Sequence, residues 1–345
     1  MELHESGLDT EDPLPSTAHW VAKMIQRIAR KVGATVNIEP EFGRVGFITF
    51  PDGERPAFFR GAHFSINPLG CVEIATDKAY AAHFLRSFGY NTPREQTFFS
   101  EDQCKRMRVD HPRNTESACQ YASELGFPVI AKPNDLSQGK LVTKVHGEED
   151  LRKTATKIFA ETNVMLVQEF VRGADYRVTV LDGDILSAYQ RIPLQVTGDG
   201  IHSIRALLSR KQVEFMTAGR DTVIDFDDFR IADKLSRQRL DWDSIPANRV
   251  VIPLLDNSNL STGGEAKDVT NNIHSDYKTL AIQLTKQMGL RFCGVDIMTS
   301  NITEPLDPSY RIIEINAAPG MDHYALSGLA ELDALYLKVL RAASH

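Results

Sequence analysis

The chain has 345 residues, a formal net charge of −7 at pH 7, and 42% hydrophobic and 25% charged residues. It exceeds one average domain and has an ordinary globular composition, while its acidic balance argues against a nucleic-acid binder, whose domains carry a basic surplus. No apolar run approaches a membrane span, the acidic start lacks the features of a signal peptide, and Cys71, Cys104, Cys119 and Cys293 form no C-x-x-C pair, which argues against a zinc site or disulfide framework; a cytoplasmic protein with no nucleic-acid or membrane partner is expected.

The spacing of Trp20, Val21, Met24, Ile25, Ile28 and Ala29 predicts an amphipathic helix over 16–31, with Ser16 and Thr17 as caps and Gly33 as its stop. Short β-like runs at 34–38, 45–50 and 57–60, divided by turn signals such as Pro51-Asp52-Gly53, complete a small N-terminal α/β domain assigned to 1–75. A helix from Thr76 to Phe88 and a strand at 96–98 open the second unit, 76–170. It continues with a helix at 116–125, strands at 127–132 and 141–145, a helix at 148–159 and a strand at 164–170. From Asp175 the pattern turns β-rich, with runs at 176–181 and 185–191 joined by the Asp182-Gly183 turn. A polar helical region at about 201–240, expected as a lid or insertion, precedes a strand at 249–254 and a helix at 276–288. Two strands around Asp296 and Glu314 and a final helix at 329–342 close a third unit, 171–345. The fold class expected is α+β.

Three stretches carry chemistry. In Arg311-Ile312-Ile313-Glu314-Ile315-Asn316 a carboxylate and an amide interrupt a buried strand two residues apart, so they share a face. Asp296, in the run Cys293-Gly294-Val295-Asp296-Ile297, belongs to a strand that can lie alongside. Two carboxylates about 4 Å apart repel by roughly 1 kcal/mol in water and about 4 at an effective dielectric of 20, and a hard cation, Mg²⁺ or Mn²⁺, resolves that with oxygen donors. Solvated strand-end acids are the equally open alternative. Second, Lys132 ends an apolar strand and meets a small polar loop through Ser137, Gln138, Gly139 and Lys140; a lysine there suits an anion, with loop N–H groups cradling phosphates, or else simply snorkels to solvent. Third, Asp175 and Arg177 alternate onto one strand face, readable as a functional pair or as a cross-strand ion pair worth under about 1 kcal/mol if exposed.

The order of these motifs resembles the ATP-grasp superfamily of carboxylate-amine ligases, from about Thr76 to the C-terminus. Arg191-Ile192-Pro193, the Gly198-Asp199-Gly200 stretch and Asn259-Leu260-Ser261-Thr262-Gly263-Gly264 look like cyanophycin synthetase and the ATP-grasp half of bifunctional glutathione synthetase. The resemblance implies two α+β subdomains gripping ATP, with Lys78, Lys132, Ser137, Gln138, Gly139 and Lys140 at the phosphates. Gln168, Glu169 and Val171 would meet the adenine, Asp175 the ribose, and Asp296, Glu314 and Asn316 a Mg²⁺ ion. It further implies Lys132, Arg177 and Arg191 as catalytic groups, and Asn259, Ser261, Gly263, Gly264, Met321, His323 and Tyr324 as substrate contacts. The implied activity is ADP-forming amide synthesis from a small acid and a small amine through an acyl phosphate, by a chain compatible with a homodimer. A small-molecule kinase and a non-catalytic nucleotide-binding regulator are the alternatives. Two positions depart from the pattern: Leu141 stands where relatives have a second glycine, and Leu255 where they have arginine.

Overall fold

The computed structural model describes residues 19–108, 113–136, 139–217, 220, 222–321 and 329–345. It opens with α1 (Trp20–Val32), whose N-cap is His19 and whose C-cap Gly33 takes the left-handed conformation at φ 67°, a role that favours glycine. Ser16 and Thr17, the caps expected from sequence, lie outside the described residues. An antiparallel sheet follows, β1 (Thr35–Ile38), β2 (Val45–Thr49), β3 (Ala57–Arg60) and β4 (His63–Phe64), in sequential order.

The helix expected over 76–88 is α3 (Lys78–Ser87), whose N-cap Asp77 accepts from Tyr80 N; α2 (Leu69–Thr76), which the sequence reading did not anticipate, precedes it. Then come β5 (Glu95–Phe99), α4 (Glu101–Met107), α5 (Thr115–Leu125), β6 (Val129–Pro133), β7 (Thr143–Val145), α6 (Glu148–Phe159) and β8 (Val164–Glu169). The four strands form one antiparallel sheet in the order β5-β8-β6-β7. Its apolar face, including Phe98, Val129, Ala131, Met165 and Val167, is buried with Ala118, Ala122, Leu151, Ala155 and Ile158 of α5 and α6. Each fully buried large aliphatic contributes about 1.5–3 kcal/mol.

A second antiparallel sheet is built from β9 (Ala174–Leu181), β10 (Asp184–Ile192), β13 (Glu265–Asp268), β14 (Phe292–Thr299) and β15 (Arg311–Asn316), in the order β13-β10-β9-β14-β15. Val178, Val180, Val295 and Ile297 line one face and pack with Tyr277, Ala281 and Leu284 of α9 (Ser275–Gln287). The stretch expected to be a polar helical region has a small core of its own. There β11 (Gln195–Thr197) pairs with β12 (Val251–Pro253), and Leu207, Leu208 and Phe215 of α7 (Ile204–Thr217) cluster with Ile231 and Leu235 of α8 (Phe229–Arg237).

The last helix, α10 (Leu329–Ala343), was assigned from sequence to the third unit. By contact it groups instead with 1–66, while 67–328 make the other compact unit. The physical reasons are a ring contact and a buried charge: Tyr336 packs edge-on to Trp20 at 5.7 Å, and Asp333 holds Arg27 and Lys31 at 2.5 and 2.6 Å.

Candidate active site

Directly opposed residues in an antiparallel sheet share a face, and the register places Tyr189, Arg177, Asp296 and Glu314 in one row across β10, β9, β14 and β15. Asn316 lies two residues beyond Glu314, Asp175 two before Arg177, and Arg191 opposite Asp175, so the functional candidates of four strands collect on the face away from α9. Asp296 is 1% exposed and is held at both oxygens by Arg177, whose Nε and Nη2 donate at 2.6 and 2.7 Å. Arg191 Nη2 stands 2.9 Å from the same carboxylate and donates to Asp175 Oδ1 at 2.7 Å. Burial alone would raise the pKa of Asp296, yet the two guanidiniums outweigh it and keep it below the usual carboxylate range. Asp175, with Arg191 as its hydrogen-bonded partner and Asp296 repelling it, is pushed upward by burial. The pairing is thus Asp175 with Arg191 and Arg177 with Asp296.

Glu314 Oε1 lies 3.7 Å from Lys78 Nζ, and Lys78, the first residue of α3, also donates to Leu136 O at 2.7 Å and Asn134 O at 3.3 Å. Lys132 on β6 is buried and donates to Gln168 Oε1 at 3.3 Å; Gln168 Nε2 in turn donates to Glu95 Oε2 at 2.7 Å. Burial depresses the Lys132 pKa against the opposing fields of Glu95 and Glu314, and burial raises that of Glu95. Sequence reasoning missed Glu95. It opens β5 beside Arg94, and only the register, Glu95 against Gln168, brings it to the lysine.

Two carboxylates and an amide, Asp296, Glu314 and Asn316, share one face, and among the described residues the buried Asn316 Nδ2 has no hydrogen-bond partner. An all-oxygen set of one or two carboxylates is what Mg²⁺ accepts. The residues fit such an ion, and Asp296 is at the same time held by Arg177 and Arg191. Among the described residues no group of three or more His, Cys, Asp or Glu forms a metal cluster.

The remaining candidates divide. Gly139 approaches Asn257 and Asn259 so closely that an added Cβ would stand 2.6 Å from both side chains. The Asn259–Gly264 run is a tight turn around a short 3-10 segment (Leu260–Thr262), with Gly263 at φ 97° and no room for a Cβ at Gly264, where an added one would stand 2.8–2.9 Å from the carbonyl oxygens of Asn259, Ile192 and Ser258. Arg220 donates to Leu260 O and, at 2.6 Å, to Gly264 O, bracing the turn that carries Ser261. Met321 is buried. Lys140 is ion-paired with Glu161 at 2.8 Å, Glu169 with Arg94 at 2.7 Å, and Val171 sits half-buried in the link between β8 and β9. Ser137, Gln138, His323 and Tyr324 lie outside the described residues. Leu141 adopts φ 58°, the left-handed region where glycine is at ease, and Leu255 is buried in the core of the 194–255 stretch.

Comparison with known proteins places this arrangement. A family model described as a RimK-like ATP-grasp domain matches residues 256–336, one described as the D-ala D-ala ligase C-terminus matches residues 85–206, and together they span more than half of the chain. The chain belongs to the ATP-grasp superfamily. Within it, the chain is 30% identical over 267 residues to the glutathione biosynthesis bifunctional protein GshAB of Mannheimia succiniciproducens, covering 74% of this chain and 33% of that protein. It is 32% identical over 262 residues to the cyanophycin synthetase of Crocosphaera subtropica, covering 72% and 28%. The chain therefore spans about a third of the length of these curated relatives. The crystal structure of a bifunctional glutathione synthetase from Pasteurella multocida shares the fold, with a TM-score of 0.57 and 24% identity over 93% of this chain and 44% of that one. No helix among the described residues is long and apolar enough to cross a membrane.

The depressed Lys132 pKa makes a measurable claim. A triphosphate set beside Lys132, as the sequence resemblance implies, would favour the charged amine and raise its pKa, so that nucleotide binding would take up protons on the alkaline side, below the ordinary lysine value near 10.5. Affinity then falls as pH rises through the depressed value. Calorimetry in buffers of different ionisation enthalpy is expected to show this uptake in the parent protein and none in Lys132→Met, whose affinity drops at least about tenfold, the scale of one charge-assisted contact.

Proposed function

We infer that the chain is an ATP-dependent, ADP-forming carboxylate-amine ligase acting on small amino acids or peptides. The observation that carries this reading is the meeting of Lys78 with Glu314 at 3.7 Å: a candidate phosphate-binding lysine and a candidate magnesium ligand, from a helix and from the five-stranded sheet, confront each other across one site. In this reading the four-stranded sheet of β5 to β8 and the five-stranded sheet of β9, β10, β13, β14 and β15 are the two jaws, within the divisions 76–170 and 171–328. Lys78 and Lys132 receive the triphosphate, the loop through Gly139 covers it, and Gln168, Glu169, Val171 and Asp175 meet the nucleoside. Asp296, Glu314 and Asn316 would hold Mg²⁺, which when bound neutralises phosphate charge. Asn259, Ser261, Gly263, Gly264 and Met321 belong to the substrate side.

Chemically, an oxygen of the acid's carboxylate attacks the γ-phosphorus and the bond to ADP breaks, giving an acyl phosphate. The nitrogen of a neutral amine then attacks the acyl carbon, phosphate leaves, and the nitrogen sheds a proton. The first step is mostly positioning and charge neutralisation. The second builds an oxyanion, for which Arg177 and Arg191 are the held cations; a well-aimed donor there is worth about 3 to 4 kcal/mol.

The test is a screen of paired amino acids and dipeptides, reading phosphate release and the mass of the products. Release of ADP only when an acid and an amine are both supplied, with a product lighter than their sum by one water, is the expected result. Phosphorylated acid as the end product would make the chain a kinase, and nucleotide binding with no ADP from any pair would leave it a regulator.

A further inference from the structure

The second residue of α8, Arg230, donates from all three guanidinium nitrogens. Its Nε and Nη2 donate to the Asp228 carboxylate at 2.9 and 2.6 Å, while Nη1 donates to Gly139 O at 2.8 Å and Val142 O at 3.1 Å. The pair is 12% exposed on each side. Arg230 thereby grips two carbonyls of the β6–β7 loop from the 194–255 insertion. The loop's near end is held by Lys78 at Asn134 O and Leu136 O. Between the two carbonyls that Arg230 holds sits Leu141 at φ 58°. A branched apolar residue in that region costs roughly 1–2 kcal/mol and persists only where its surroundings impose it. Two further contacts run between α8 and α6: Lys157 Nζ lies 3.0 Å from the Phe229 ring centroid, and Arg237 meets Asp150 at 2.6 Å.

We propose that Arg230 is a positioning residue that latches the Gly139–Val142 segment over the nucleotide phosphates, which makes the insertion part of the nucleotide grip. The proposal rests on the reading that Lys78 and Lys132 face the triphosphate. A trans peptide directs its N–H opposite its carbonyl, so tying Gly139 O to Arg230 turns the Lys140 N–H to the side away from the guanidinium. Without Arg230 the loop keeps its sequence but loses its fixed shape, and ordering it on nucleotide binding costs affinity.

The experiment compares the parent chain with Arg230→Met, Arg230→Lys and the double variant Asp228→Asn, Arg230→Met, which leaves no carboxylate stranded. Two readouts are taken: calorimetric binding of a magnesium complex of a non-hydrolysable ATP analogue, and amide hydrogen exchange over residues 139–145. Both methionine variants are expected to bind the analogue about tenfold more weakly, equivalent to about 1.4 kcal/mol. Their loop amides exchange faster while those of β6 and β8 do not. Arg230→Lys recovers part of the affinity, because a single ammonium replaces the planar fork. Parent-like affinity and loop exchange in the folded methionine variants overturn the latch. Full recovery of affinity in the double variant also overturns it, since the loss in Arg230→Met would then belong to the stranded Asp228. A parent chain that does not bind the analogue overturns the nucleotide reading and the latch's ligand with it, a result distinct from unchanged binding in the variants.

Discussion

Replacing Glu314 by Gln is expected to lower ATP-dependent product formation roughly a thousandfold, the scale of a lost electrostatic stabiliser at a phosphoryl-transfer centre, while the melting temperature moves by less than about 3 °C. The asymmetry follows from its surroundings. The Glu314 side chain is 27% exposed, and its one ion pair among the described residues, to Lys78, is long at 3.7 Å. A partly solvated pair of that kind adds little to folding. The amide keeps the size and one oxygen, so packing along β15 is untouched. Steady-state rates and a thermal melt on the same preparation decide the matter. Retained turnover with Mg²⁺ would remove Glu314 from the centre, and a collapse of the melting temperature would make its role structural.

Asp296→Asn should behave differently, losing both activity and fold. That carboxylate is 1% exposed and neutralises Arg177 at two short contacts and Arg191 at a third. An asparagine leaves Arg177 facing a neutral amide in a buried row while Arg191 keeps only Asp175. Breaking a buried pair from one side costs about 3–5 kcal/mol, a fall in melting temperature on the order of 10 °C. The sign with pH is fixed by the lowered native pKa: the stabilisation is fully present above the unfolded value near 4 and is lost only as the pH falls through the native one. The penalty therefore persists unchanged between pH 5 and 8. A companion double variant, Arg177→Met with Asp296→Asn, should regain part of the stability and none of the activity. A single Asp296→Asn protein as stable as its parent would show that the guanidiniums do not need this carboxylate.

The contrast between these two acids marks how far the chain can be read without its structure. The i, i+2 spacing in Glu314-Ile315-Asn316 fixes a shared face, and two apolar runs suffice to suggest that Asp296 lies alongside; the register indeed sets Asp296 against Glu314. What spacing does not contain is the third strand. Arg177 reaches Asp296 because β9 lies next to β14, a neighbour 119 residues away in sequence. The same holds for Glu95, which meets Gln168 only through sheet order, and for Asp333, whose basic partners on α1 precede it by about three hundred residues. The helices of the insertion were visible as helices, but their apolar positions, such as Leu207, Leu208, Ile231 and Leu235, are so diluted by charge that a core was not. Leu141 is a different kind of gap. A leucine is silent about φ, and only the backbone reveals that it occupies a glycine-like conformation.

The turn at Asn259 to Gly264 bears on how such chains are recognised at all. Its glycines answer to neighbouring carbonyls and to a left-handed bend, and the nearest charged brace is Arg220. Crowding of this kind is indifferent to turnover. A descendant stripped of its reaction would still be obliged to keep the two glycines, so the most recognisable signature in the chain certifies ancestry and shape, and competence has to be looked for elsewhere.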